Sequence, residues 1–130
     1  MIVVDASAAL EVLLRTASAS AVEQKLFARG QSLHAPHLID IEVAQVLRRY
    51  VISGQLSVER CGEALTDMAA LPLTRYARDF LIPRIWELRD NLTAYDAAYV
   101  ALAEALDAPL LTRDRRLASA SGSHAQIELV

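Results

Sequence analysis

Cysteine, lysine and glycine are nearly missing from this chain, and each shortage removes a class of explanation. Cys61 is the only cysteine in 130 residues, so neither an intrachain disulfide nor a cysteine metal cluster can form, and cytoplasmic residence is the expectation. Lys25 is the only lysine among 13 basic residues. The others are arginines, whose planar fork suits phosphate recognition, although genomic base composition gives the same bias. Four glycines provide no Gly-rich loop behind a strand, which argues against a phosphoryl-transfer enzyme. A basic field is also missing: the net charge of −3 advertises no general attraction for nucleic acid. No apolar run approaches a membrane span. The opening Met1-Ile2-Val3-Val4 is too short for a signal peptide and runs into Asp5. His34, His37 and His124 show no zinc-like spacing, with Pro36 between the first two, so surface or loop positions are expected for them.

What remains is apolar and regularly punctuated. A hydrophobic content of 54% is ample for a core, and the length fits one domain spanning residues 1–130. Short β-branched or apolar runs predict strands at Met1–Val4, Ser32–Ala35, Leu73–Tyr76, Pro109–Thr112 and Ala125–Val130. Helical spacing predicts helices over Ala6–Arg15, Ala21–Ala28, Leu38–Ile52, Ser57–Leu71, Asp79–Arg89, Thr93–Leu106 and, as a short turn of helix, Arg113–Ser119. Strands alternating with helices imply an α/β fold with a parallel sheet flanked by helices.

Four acids stand beside or inside these apolar segments: Asp5, Glu42, Asp96 and Asp114. Each has a local reading. Asp5 and Asp114 can cap the helices that follow them. Glu42 can pair with Arg48 or Arg49, and Asp96 completes the capping box Thr93-x-x-Asp96. Their joint placement supports another reading. Asp5 and Asp114 follow two buried strands, at the sheet edge where ligands bind in α/β folds. Glu42 and Asp96 lie on inward borders of helices. Carboxylates gathered there repel one another, and a hard divalent ion such as Mg²⁺ or Mn²⁺ reverses that penalty. Ser7 and Thr112 are placed to orient the acids. Arg113, Arg115 and Arg116 are either phosphate contacts or a solvated charged turn. Tyr95 and Tyr99 can stack an unpaired base, but the helical spacing of Tyr99 favours a core role.

These blocks resemble the PIN domains of VapC-type toxins. The resemblance is carried by Ile2-Val3-Val4-Asp5-Ala6-Ser7, by Ala35-Pro36-His37-Leu38 through Glu42 to Arg49, by Leu92-Thr93-Ala94-Tyr95-Asp96-Ala97-Ala98 and by Leu110-Leu111-Thr112-Arg113-Asp114. It spans essentially the whole chain in the right order. It implies a three-layer α/β/α PIN-like domain with a small, mostly parallel sheet. It also implies a Mg²⁺- or Mn²⁺-dependent endoribonuclease, the toxin half of a type II toxin–antitoxin pair, working as a homodimer and held by a VapB-like antitoxin. On this resemblance Asp5, Glu42, Asp96 and Asp114 are the catalytic acids, with Asp5, Asp96 and Asp114 the metal ligands. Two departures stand out: Gln45 occupies a position often filled by Asn, and Arg115-Arg116 stand where some relatives place a further acid. One metal held mainly by Asp5 and Asp96 is therefore the expectation. The competing readings are a non-catalytic RNA-binding or antitoxin-binding module of the same fold, and a nuclease acting on DNA.

Overall fold

The computed structural model describes all residues, Met1–Val130. Five strands form one sheet: β1 (Ile2–Val4), β2 (Leu33–Pro36), β3 (Leu73–Tyr76), β4 (Leu110–Thr112) and β5 (Ile127–Leu129). Their spatial order is β3-β2-β1-β4-β5. Every pairing is parallel, so the sheet is wholly, not mostly, parallel. Seven helices accompany it: α1 (Ala6–Leu13), α2 (Ala19–Leu26), α3 (Leu38–Ile52), α4 (Val58–Ala70), α5 (Ile82–Glu87), α6 (Ala94–Leu106) and α7 (Arg115–Ser119). Helices α1, α3 and α4 pack on one another and reach the sheet through β4 and β2; α6, joined to α5, packs on β1, β2 and β4. The result is a three-layer α/β/α arrangement. No helix is long and apolar enough to cross a membrane.

The core explains the strand sequences. Strands β1, β2 and β4 are buried at every position, as expected when both faces of a parallel sheet are covered. Helix α6 buries seven successive residues, Ala97–Ala103. A helix that is apolar all round belongs inside the molecule, and its alanines let it lie close to the sheet. Helix α3 buries Ile39, Val43 and Leu47, with Val46 and Tyr50 partly buried at the edge of the same stripe. It closes at Ser53, and the following Gly54 takes the left-handed conformation (φ +76°) that favours glycine.

Two elements and one side chain depart from the sequence reading. Helix α2 begins at Ala19, two residues before the expected start, and Ser18 caps it without a side-chain hydrogen bond. Burial of Ala19, Val22 and Leu26 on one face outweighs the serine signal. The helix expected over Asp79–Arg89 is divided into a 3-10 turn at Asp79–Leu81 and the short α5. Pro83 in the first turn of α5 offers no N–H to the preceding turn, so the chain tightens before it. His34 is not at the surface. It is buried in β2, with one ring nitrogen 2.8 Å from Ser32 Oγ and the other 2.7 Å from Tyr76 Oη.

Chain order reverses at β1: β2 and β3 extend the sheet to one side, β4 and β5 to the other. In doubly wound sheets such a reversal opens a crevice at the carboxyl ends of the two central strands. Here those strands are β1 and β4, and the residues that follow them are Asp5 and Arg113-Asp114.

Candidate active site

Asp5 leaves β1 and caps α1, and it does both with a buried carboxylate. One oxygen accepts from the Ala8 amide at 3.0 Å and from Ser7 Oγ at 2.6 Å. The other accepts from Thr112 Oγ1 at 2.5 Å. Thr112, at the end of β4, is fully buried and its hydroxyl also accepts from the Asp114 amide at 3.0 Å. Ser7 Oγ accepts from the Arg113 amide at 3.0 Å and lies 3.4 Å from Thr112 Oγ1. Two hydroxyls therefore sew the turn after β1 to the turn after β4 and fix the Asp5 carboxylate between them. Burial is the largest influence on that carboxyl and pushes its pKa up; Ser7, Thr112 and the Ala8 amide pull it down, and the charge of Asp96 pushes it up again.

Asp96 lies in the first turn of α6. Its amide donates to Thr93 Oγ1 at 3.2 Å, so the cap on α6 is made. The reciprocal half of the capping box, from carboxylate to Thr93 amide, is not formed. The carboxyl is half-buried and has a raised pKa, first through burial and then through Asp114, with Thr93 and Arg116 opposing. Glu42 sits on α3 and ignores both Arg48 and Arg49. Tyr99 Oη donates to its Oε1 at 2.5 Å. Burial raises the Glu42 pKa, Tyr99 lowers it, and the charges of Asp5 and Asp96 raise it further. Asp114 caps the short α7, accepting from the Arg116 amide at 2.9 Å, and stands 3.6 Å from the Arg116 guanidinium.

The four acids thus come from four elements to one edge of the sheet, and the charges of their neighbours add to the upward shifts of Asp5, Glu42 and Asp96. No three of them close on a single point as a ready-made cation cage. The donor set is nevertheless the kind a hard cation takes: carboxylate and hydroxyl oxygens, with no nitrogen or sulfur. Mg²⁺ needs only about one or two direct carboxylates, with water and substrate completing its shell. Three carboxyls with upward-shifted pKa values, opposed by hydrogen bonds but by only one positive charge, Arg116 at Asp96, form a site short of positive charge.

The arginines after β4 divide. Arg113 is turned toward α1 and the chain end: its guanidinium is 3.5 Å from Glu11 and donates to the Val130 carbonyl. Arg115 is exposed. Arg116 is 92% exposed and lines a depression of about 210 Å³ together with Asp96 and Thr93. Tyr99 carries a role at the site that the sequence reading did not assign to it. It is in the core, as its helical spacing suggests, yet its hydroxyl belongs to the site. The usable signal is general: a buried tyrosine hydroxyl requires a partner, and a Glu on the border of a neighbouring apolar stripe is a natural one.

Comparison with known proteins agrees with this fold. A family model described as PIN domain matches residues 2–122. Ribonuclease VapC9 of Mycobacterium tuberculosis is 46% identical over 130 residues, covering 100% of this chain and 98% of that protein. Among solved structures, VapC20 of Mycobacterium tuberculosis, a sarcin-ricin loop cleaving toxin, has a TM-score of 0.72 at 13% identity, covering 95% of this chain and 96% of that one. VapBC2 from Rickettsia felis, bound to a DNA fragment from their promoter, has a TM-score of 0.71 at 13% identity, covering 100% and 99%. At these identities the solved structures speak for the fold, whereas the full-length match to VapC9 reaches the family: this chain belongs to the PIN-domain family, within its VapC group.

Proposed function

We propose that the chain is a divalent-metal-dependent endoribonuclease, the toxin half of a type II toxin–antitoxin pair. The observation that carries this reading is the convergence of Asp5, Glu42 and Asp96, from three separate elements, into one electrostatically coupled group. Membership of a group whose members include ribonucleases supports the choice of RNA.

Asp5 and Asp96, with Asp114 beside them, would hold the cation, Mg²⁺ or Mn²⁺. When bound, such an ion neutralises the acids, polarises the scissile phosphodiester and activates water. The chain's own residues supply position and proton transfer. Ser7 and Thr112 prevent the Asp5 carboxylate from rotating. Tyr99 occupies Glu42 Oε1, which leaves Oε2 to take a proton from the attacking water. A carboxyl with raised pKa is better matched to that task than an ordinary one. The water oxygen bonds to phosphorus as the P–O3′ bond breaks, the departing 3′-oxygen takes a proton from solvent water, the products carry a 5′-phosphate and a 3′-hydroxyl, and the 2′-hydroxyl takes no part as nucleophile. Arg115 and Arg116 meet flanking phosphates; Arg113 joins them only by leaving Glu11.

A VapB-like antitoxin is the proposed partner, placing a basic side chain in the acidic pocket, and a homodimer is the proposed assembly. The exposed apolar side chains Ile52, Val58 and Leu65, beside a depression of about 330 Å³ between α3 and α4, are suited to a partner segment. An adjacent reading frame encoding a small antitoxin-like protein would support the pairing.

The deciding experiment is cleavage of total RNA by the purified protein. Activity should vanish in EDTA and return with Mg²⁺ or Mn²⁺. Asp5→Asn and Asp96→Asn should each abolish it while the circular dichroism spectrum is retained. Undiminished cleavage in EDTA, or by the Asp96→Asn protein, removes the metal site from the reaction. An intact protein that binds RNA but never cuts it would instead be a binding module.

A further inference from the structure

A depression of about 540 Å³ opens beside Glu42, between α3 and the start of α6. On the α3 side its wall includes Ile41, Gln45 and Arg49, spaced i, i+4 and i+8, so they form one row along the helix. All three are exposed. Tyr95 stands opposite in the first turn of α6, 66% exposed. Its hydroxyl has no hydrogen-bond partner, Arg49 forms no ion pair and the Gln45 amide is unbonded. None of these groups is used by the chemistry proposed above.

An open aromatic face, a free amide and a free guanidinium are what a single-stranded nucleotide engages. Bases of any sequence stack on exposed aromatic rings, amides read base edges, and arginine meets the phosphate as a fork. The charge pattern agrees. The acids in the crevice repel flanking phosphates, and Arg49 is the cation lining this side, as Arg116 is on the other. Ala6 and Val46 also line the depression, but the exposed row is a poor seat for an apolar helix, because Gln45 and Arg49 interrupt it after Ile41. The apolar depression of α3 lies elsewhere, against α4.

We propose that this depression binds one unpaired nucleotide flanking the scissile phosphate, with its base on Tyr95, its edge against Gln45 and its phosphate on Arg49. The ribonuclease reading supplies the position of the scissile phosphate; the binding itself is measurable without cleavage.

The test uses fluorescence anisotropy of a labelled, mixed-sequence single-stranded RNA oligonucleotide on the cleavage-deficient Asp96→Asn protein. Tyr95→Ala should weaken binding by about tenfold. Moving one abasic nucleotide along the strand should give a similar loss at a single position, and the two losses should not add. Arg49→Ala should lower the salt dependence of binding by about one phosphate contact. With wild-type Asp96, Gln45→Ala should change the base preference next to the cut. Unchanged affinity in both Tyr95→Ala and Arg49→Ala overturns the proposal, as do additive losses from Tyr95→Ala and the abasic strand. If those two variants keep RNA affinity but lose a protein partner, the depression is a peptide groove and the proposal fails. Absence of all cleavage by the wild type would strike the ribonuclease reading alone, because the anisotropy measurements still decide the subsite.

Discussion

Tyr99 shows how one buried hydroxyl can join packing to chemistry. Its ring fills the core of α6, and its single polar atom crosses to α3 to fix one oxygen of Glu42. Tyr99→Phe keeps the ring and removes the bond. A stability loss of about 1–2 kcal/mol is expected, read by urea denaturation. Cleavage kinetics should show kcat reduced by about tenfold with KM nearly unchanged, since Glu42 is left free to swing. Equal kcat in the variant would confine Tyr99 to packing. Glu42→Gln is the stronger lesion and should cost about a hundredfold or more in kcat. The individual acids were legible in the sequence because each interrupts an apolar pattern that otherwise predicts burial. Their partners were not. Tyr99 and Glu42 lie 57 positions apart, Thr112 and Asp5 107, and periodicity says which way a side chain points but not whom it meets. His34 was misplaced for the same reason. Only the pairing of β2 with β3 brings Tyr76 to it.

At the scale of elements, two serine/threonine caps invite a comparison. Ser57 caps α4 and Thr93 caps α6 with the same bond, accepting from the amide three residues on. Removing either hydroxyl should cost about 1 kcal/mol. Ser57→Ala should lower the melting temperature without touching catalysis, whereas Thr93→Ala should lower both, because Asp96 occupies the turn that Thr93 holds. Equal kcat/KM in the two variants would separate the cap from the site. Helix α3 and the short strands were readable because apolar spacing and terminal Gly or Pro agreed. The start of α2 was not, because burial of Ala19 competes with a serine signal that the structure leaves unused. Asp79–Arg89 was readable as helical but not as two pieces, since proline near a helix start is compatible with either.

For the molecule as a whole, the acidic edge makes stability depend on pH in an unusual direction. Asp5, Glu42 and Asp96 all have raised pKa values in the folded protein, with burial as the first cause. The folded state therefore binds protons more tightly than the unfolded chain, and stability contributed by protonation is lost as pH rises through the raised values. His34, with a depressed pKa, works in the opposite sense as pH falls below its ordinary range. Without metal, the carboxyl contribution should make the wild type gain stability relative to an Asp5→Asn/Asp96→Asn double variant as pH falls from neutrality toward the ordinary carboxyl range. Thermal melts across that range test this. Millimolar Mn²⁺ should raise the wild-type melting temperature at neutral pH by mass action and leave the double variant unmoved. A double variant with the same pH and metal response would place the acids outside the effect.

The chain reversal at β1 also sets a timetable. Asp5 is synthesised 107 residues ahead of the threonine that grips it, and β5, which borders β4, follows later still. Until Thr112 has been made, Asp5 has only its local partners Ser7 and Ala8, and one carboxylate oxygen is left unheld. The acidic edge is thus assembled only once Thr112 and Asp114 have joined the chain, long after Asp5 itself.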